Sequence, residues 1–284
     1  MKTAFDEYRE ELTAVGLDES QADAIVRARK DKRSTTKSGT IRMEKKDGEA
    51  ELLLYEMIGF DFWTGGGMTP KKLVDDLAAL QPFDKLTIRV NSPGGDVFDG
   101  MTIFNILRRQ EAKISVEVEG LAASAASFIT QVADPGELRI SEAGMFMVHR
   151  AWGLTIGNTN DMLTMAEVLD KIDGQIADIY AGRSKRKAAT WLGLMDEETW
   201  LTGQEAVDAK LADETITTKR VAAHLDPSAL SQYRNAPKDI AARLALLNEQ
   251  PPLNHDKPPE SPKRNLKVAA AARVRMLELE EAAR

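Results

Sequence analysis

The chain contains no cysteine. Disulfides, thiolate nucleophiles and Cys-ligated zinc are thereby excluded, and with them cysteine peptidases and zinc ribbons as classes. Histidine is almost as scarce, with three in 284 residues, and His149 is the only one ahead of His224. Imidazoles so widely separated do not assemble a His-rich metal site, so neither a metal nor another cofactor is expected. Positive charge is not in excess either. Thirty-eight Lys and Arg against 45 Asp and Glu leave a net charge of -7, without the basic footprint that displaces counterions from nucleic acid. No apolar run reaches the length of about 18 residues that a membrane-spanning helix needs. The segment from Met1 to Glu7 carries acids where a signal peptide needs apolar residues. The expectation is a cytoplasmic protein without nucleic-acid or membrane partners.

What is present is enough apolar material, 43% of the chain, to build a substantial core. Residues 1–40 read as a helical extension and linker: Phe5, Tyr8, Leu12 and Val15 share a face, Gly16 stops that helix and Asp18 caps a second. From 41 to 218, strand and helix patterns alternate. Leu52 to Tyr55 reads as a buried strand, and Thr69-Pro70 starts a helix burying Leu73, Val74, Leu77 and Leu80. Leu86, Ile88 and Val90 then alternate, Met101, Phe104 and Leu107 mark a helix, and Ile114, Val116 and Val118 alternate again. This rhythm predicts an α/β fold with parallel strands, whose sites lie where strand ends open into loops. A long helix follows, with Met162, Met165, Leu169, Ile172 and Ile176 at packing positions, and Gln204 to Leu211 forms a shorter one. Residues 219–284 contain Pro251, Pro252, Pro258, Pro259 and Pro262 before a terminal helix from Leu266 to Ala283. That composition predicts a flexible tail, dispensable for cleavage of a short peptide and suited to tethering.

Scarce histidine narrows the chemistry. Imidazole is the usual base that activates a serine near neutral pH, so serine-hydrolase chemistry in the main body must run through His149. Twenty-five positions before it, Gly120-Leu121-Ala122-Ala123-Ser124-Ala125-Ala126-Ser127 offers two serines, each after paired alanines, and position alone does not separate them. Asn91-Ser92-Pro93-Gly94-Gly95-Asp96 closes a strand with a flexible turn able to present backbone N–H groups to an oxyanion. Gly65-Gly66-Gly67 lacks the Lys-Ser or Lys-Thr of a phosphate loop, and the G-x-S-x-G elbow of ordinary α/β-hydrolases is absent.

These segments, together with Met147-Val148-His149 and Glu198-Thr199-Trp200-Leu201-Thr202-Gly203-Gln204-Glu205-Ala206, make residues 50–214 resemble the Clp protease proteolytic subunit family. Phe62-Trp63-Thr64-Gly65-Gly66-Gly67 and the doubled Ala-Ala-Ser resemble its head maturation (prohead) protease branch from tailed phages and prophages. The resemblance implies a crotonase-like ββα superhelix with a projecting handle helix, flanked by helical extensions, and assembly into seven-membered rings able to stack. It implies Ser124 as nucleophile, His149 as base, and the backbones of Gly94, Gly95 and Ala125 as oxyanion and substrate-binding groups. Gapless alignment on Trp200-Leu201-Thr202-Gly203 puts the family's usual Asp on Glu198. Asp196 is the alternative acid, since positions 196 and 198 would share one side of an extended strand. Arg150 and Ala151 depart from the family after the histidine. The implied activity is serine endopeptidase cleavage of scaffold and capsid proteins, in the host cytoplasm or inside the assembling prohead. A non-hydrolytic acyl-CoA enzyme of crotonase fold and a catalytically silent ring or scaffold subunit are the rivals.

Overall fold

The computed structural model describes residues 44–46, 48–60, 66–217, 230 and 233–237. The helices expected over residues 4–31, the basic linker, Gly65 and the terminal helix lie outside the described residues. An eight-stranded mixed sheet organises the rest. It comprises β1 (Glu44–Lys46), β2 (Glu49–Leu54), β3 (Lys85–Ser92), β4 (Lys113–Ala123), β5 (Leu138–Ser141), β6 (Met145–Val148), β7 (Thr199–Thr202) and β8 (Glu214–Ile216). The order is β1-β2-β3-β4-β5-β8, with β6 on β4 and β7 on β6. Strands β2 to β5 and β8 run parallel, as expected, whereas β1 and β7 pair antiparallel with their neighbours.

Alternation explains β2 and β3, which turn Leu52, Leu54, Leu86, Ile88 and Val90 into the core. Helix α1 (Pro70–Leu80) starts where Thr69 accepts from Lys72 N–H at 3.2 Å and proline takes the first turn. It buries Leu73, Leu77 and Leu80, but Val74, expected inside, is 48% exposed. One position after Leu73, it falls off the stripe that the other three define. Helix α2 (Val97–Arg108) is capped by Asp96, whose carboxylate accepts from Asp99 N–H at 2.9 Å.

Strand β4 positions the site, because it forks. Its middle, Val116 to Val118, pairs with Leu138 to Ile140 of β5, while its end, Leu121 to Ala123, pairs with Met145 to Met147 of β6. Short helix α3 (Ala125–Ile129) begins directly beyond the fork. Helix α4 (Thr159–Ser184) follows β6 and its loop, held at its start by a capping box between Asn158 and Asp161. Only its second half packs, through Ile172, Ile176, Ala177 and Tyr180. Met162 is exposed and Met165 half-buried in the single chain. Its first half is mostly exposed, although Met165 and Leu169 lie close to Gly153 of the preceding loop. Helices α5 (Ala188–Asp196) and α6 (Gly203–Asp208) complete the described residues. Trp191 of α5 is fully buried and donates its indole N–H to Ser184 Oγ at 2.8 Å.

Candidate active site

Register brings the serine and the histidine together. Ala123 pairs with Met147, so the residues that follow on β4 and β6 leave the sheet side by side. Ser124 N–H donates to Met147 O at 3.0 Å, and Ser124 Oγ lies 2.7 Å from His149 Nε2. Ser124 is forced into a left-handed conformation, φ 52°, at the turn from strand to helix. Such a conformation costs a residue with a Cβ about 1–3 kcal/mol and persists only where the surroundings impose it. The surroundings are Ala122, Ala123, Ala125 and Ala126, all buried, which let the backbone turn in little space.

The glycine turn fits against this bend. A Cβ on Gly94, at φ 87°, would stand 2.6 Å from Ala123 O, 2.7 Å from Ser124 Cβ and 2.9 Å from Ala125 N. Gly95 is equally confined by Ile58, whose N–H donates to Gly94 O at 2.8 Å and whose carbonyl accepts from Asp96 N–H at 2.9 Å. Those two bonds leave Gly95 N–H out of the pairing with Ile58. Ala125 N–H, at the first position of α3, has no acceptor within its own helix. Asn91 Oδ1 accepts from Leu121 N–H at 2.9 Å and so ties the turn to the fork. Gly120 is required there, because a Cβ would come within 2.6 Å of that oxygen.

Ser127 is engaged elsewhere. Its hydroxyl is 2.6 Å from both Ser124 O and Tyr180 Oη, fully buried, with no imidazole beside it.

The two acids have different settings. Asp196 ends α5 and pairs through both oxygens with Arg150, at 2.7 and 3.2 Å. Glu198 sits in the following turn at φ 50°, its side chain 5% exposed. The premise that the two share one side of an extended strand therefore fails, since helix and turn separate them. The Glu198 carboxylate accepts from Trp200 Nε1 at 3.3 Å, Arg234 N–H at 2.9 Å and Asn235 N–H at 2.6 Å. Among the described residues no hydrogen bond joins it to His149, but its charge acts on that ring. Burial pushes the His149 pKa below its usual 6.5, the Glu198 carboxylate opposes this shift, and the Arg234 guanidinium adds to it. Burial thus keeps the ring neutral near pH 7, the form in which Nε2 can accept a proton.

Sequence reasoning missed Tyr233, Arg234 and Asn235. They lie beyond 218, in the stretch expected to be a flexible tail, yet Leu230 and Tyr233 are buried against the site. A single turn carries no periodic pattern that would have flagged it. Among the described residues no group of three His, Cys, Asp or Glu is arranged to hold a metal ion. No helix of the described residues is long and apolar enough to cross a membrane.

A forked parallel sheet, a strained serine at its tip and a histidine within hydrogen-bond reach define a ClpP-like α/β protein. The family model named Clp protease matches residues 68–219, more than half of the chain, and the chain belongs to that family, one of serine-type peptidases. It is 28% identical over 144 residues to the ATP-dependent Clp protease proteolytic subunit 1 of Protochlamydia amoebophila, covering 50% of this chain and 70% of that protein. Identity to subunit 2 of Streptomyces avermitilis is 30% over 144 residues, covering 50% and 72%. Among solved structures, a mutant of ClpP1 from Listeria monocytogenes superposes with a TM-score of 0.52 at 22% identity, over 60% of this chain and 92% of that one. That likeness supports the fold.

Proposed function

We propose that this chain is a serine endopeptidase in which Ser124 is the nucleophile, His149 the base and Glu198 the acid. The carrying observation is the 2.7 Å contact between Ser124 Oγ and His149 Nε2 at a strained turn. A substrate peptide adds as a strand beside Gly94-Gly95, with its carbonyl oxygen toward Gly95 N–H and Ala125 N–H. Ser124 Oγ attacks the carbonyl carbon while His149 Nε2 takes the hydroxyl proton. The same proton passes to the leaving amine as the C–N bond breaks, and a water activated by His149 then hydrolyses the acyl-enzyme. Glu198 stabilises the imidazolium that forms in each half-reaction.

The substrates are scaffold and capsid proteins of a tailed phage or prophage, cut during head assembly. Supporting this are the aromatic and triple-glycine segment from Phe62 to Gly67 and the doubled Ala-Ala-Ser, which resemble the head maturation branch. The active form is a closed homo-oligomeric ring, on the pattern of the family.

A serine-directed fluorophosphonate tests the chemistry. The expected product is a covalent adduct on Ser124, lost in Ser124→Ala and His149→Ala together with peptide cleavage. Absence of labelling in every oligomeric state would favour a silent scaffold subunit or a non-hydrolytic crotonase-fold enzyme. Co-expression with the neighbouring capsid and scaffold proteins, read by mass spectrometry of new termini, tests the substrate. Uncut capsid and scaffold beside an active peptidase would refute the head-maturation role.

A further inference from the structure

The turn at residues 233–235 touches three separate parts of the site. Tyr233 Oη donates to Pro93 O at 2.5 Å, in the glycine turn. Its ring meets His149 edge-on at 5.4 Å and Trp200 at 5.8 Å. Arg234 and Asn235 each donate a backbone N–H to Glu198, one to each carboxylate oxygen, and Asn235 Nδ2 donates to Glu197 O at 2.8 Å. Leu230 anchors the segment in a second apolar cluster with Leu121, Ala123, Met145 and Met147, at the tip of the fork.

The contacts differ from those of a blocking segment. Among the described residues no hydrogen bond runs from the turn to Ser124, and Ser124 and His149 stay within bonding distance while it is seated. The Tyr233 hydroxyl is bonded to a carbonyl, not to the N–H groups of Gly95 or Ala125. What the turn supplies to Glu198 is two main-chain donors, one on each oxygen, which fix the plane of the carboxylate. A carboxylate held in one orientation is what a histidine-orienting acid requires.

We infer that residues 233–235 form a positioning clamp for the acid, so that a segment outside the family-matched region is part of the peptidase's working site. This rests on the peptidase reading above and on Glu198 as its acid. It also runs against the dispensability that the tail's composition predicts.

The test uses the full-length chain with Arg234→Pro or Asn235→Pro, each of which deletes one N–H donor to Glu198. Expected is a fall in kcat, and in the fluorophosphonate labelling rate at Ser124, of about 10- to 100-fold, the scale of a lost hydrogen bond to a charged group. KM should stay within about twofold, because each proline deletes a donor to Glu198 and none to the substrate strand site. Combination with Glu198→Gln separates positioning from general damage. If the clamp acts through the carboxylate, either proline costs little further in that background. A proline penalty undiminished beside Glu198→Gln, or prolines that leave turnover unchanged, would overturn the clamp. Faster turnover would overturn it too and identify the turn as an inhibitory latch. Should the parent chain not label at Ser124, the peptidase reading fails and the clamp with it. If the parent labels and the proline variants match it, the clamp alone fails.

Discussion

Glu198 is held through both of its carboxylate oxygens. Both oxygens meet main-chain donors, so Glu198→Gln would turn an amide NH2 toward one of them as well as remove the charge. Turnover should fall by about 10⁴, the scale seen when a triad acid is neutralised. Asp196→Asn should cost about 0–1 kcal/mol of stability and little activity, since it breaks a pair with Arg150 whose carboxylate is 56% exposed. The opposite order of damage in purified variants would move the role to Asp196. A pH profile gives an independent check. His149 must be neutral to act as base, so the acidic limb of kcat/KM should lie below pH 6.5. Removing the Glu198 charge leaves only the lowering influences of burial and Arg234, so the limb should move to lower pH in Glu198→Gln. A shift upward would contradict the placement. Scarcity left His149 as the one base to choose, whereas position alone did not separate Ser124 from Ser127 and only the family resemblance favoured Ser124. The acids could not be resolved so firmly, because Asp196-Glu197-Glu198 spans a helix end and a turn that no alternation pattern marks.

At the scale of elements, the fork of β4 decides geometry. Strand β3 was legible from alternation and β2 from the apolar run Leu52 to Tyr55, α1 from its Thr69-Pro70 start and stripe, and α2 from the stripe of Met101, Phe104 and Leu107. The fork was not, since the stretch from Gly120 to Ala126, small but for Leu121, has no periodicity to show where strand becomes helix. Short β5 to β8 were likewise hidden, being runs of three or four residues too brief for a pattern, mostly buried in β5 and β6 and mostly half-buried in β7 and β8. Two substitutions probe the fork. Gly94→Ala should abolish cleavage and cost about 1–3 kcal/mol for its left-handed backbone alone, before the clash with Ala123 O and Ala125 N is counted. Thermal unfolding and peptide hydrolysis read the two effects separately. Ser127→Ala should instead leave cleavage nearly intact while costing about 1–3 kcal/mol, because Tyr180 Oη loses its buried partner. Loss of activity there, with Ser124→Ala retaining it, would reverse the assignment of the nucleophile.

Among the described residues of the whole molecule, several large apolar side chains are exposed. Trp152, Leu154 and Ile156 alternate along the loop after His149 at 70%, 81% and 86% exposure, and Leu163 of α4 adds 59%. Single exposed apolar residues are ordinary, but a contiguous set beside a helix with an unpacked half marks an association surface. Leu154→Asp with Ile156→Asp should shift the full-length protein from closed rings to smaller species in light scattering. An unchanged mass, or an active wild-type monomer, would refute the ring. The apolar face of α4 was foreseeable from its helical spacing, whereas the exposed loop residues and the docking of Leu230 and Tyr233 were not, since they depend on contacts made across the chain. Tyr233 reaches back 140 positions to Pro93. A ribosome delivers these partners in order, the glycine turn first, then the serine, the histidine and Glu198, and the clamping turn after all of them. The body can therefore begin to fold while the acid still lacks two of its donors, and the newborn chain should become a competent hydrolase only after that turn has emerged and docked.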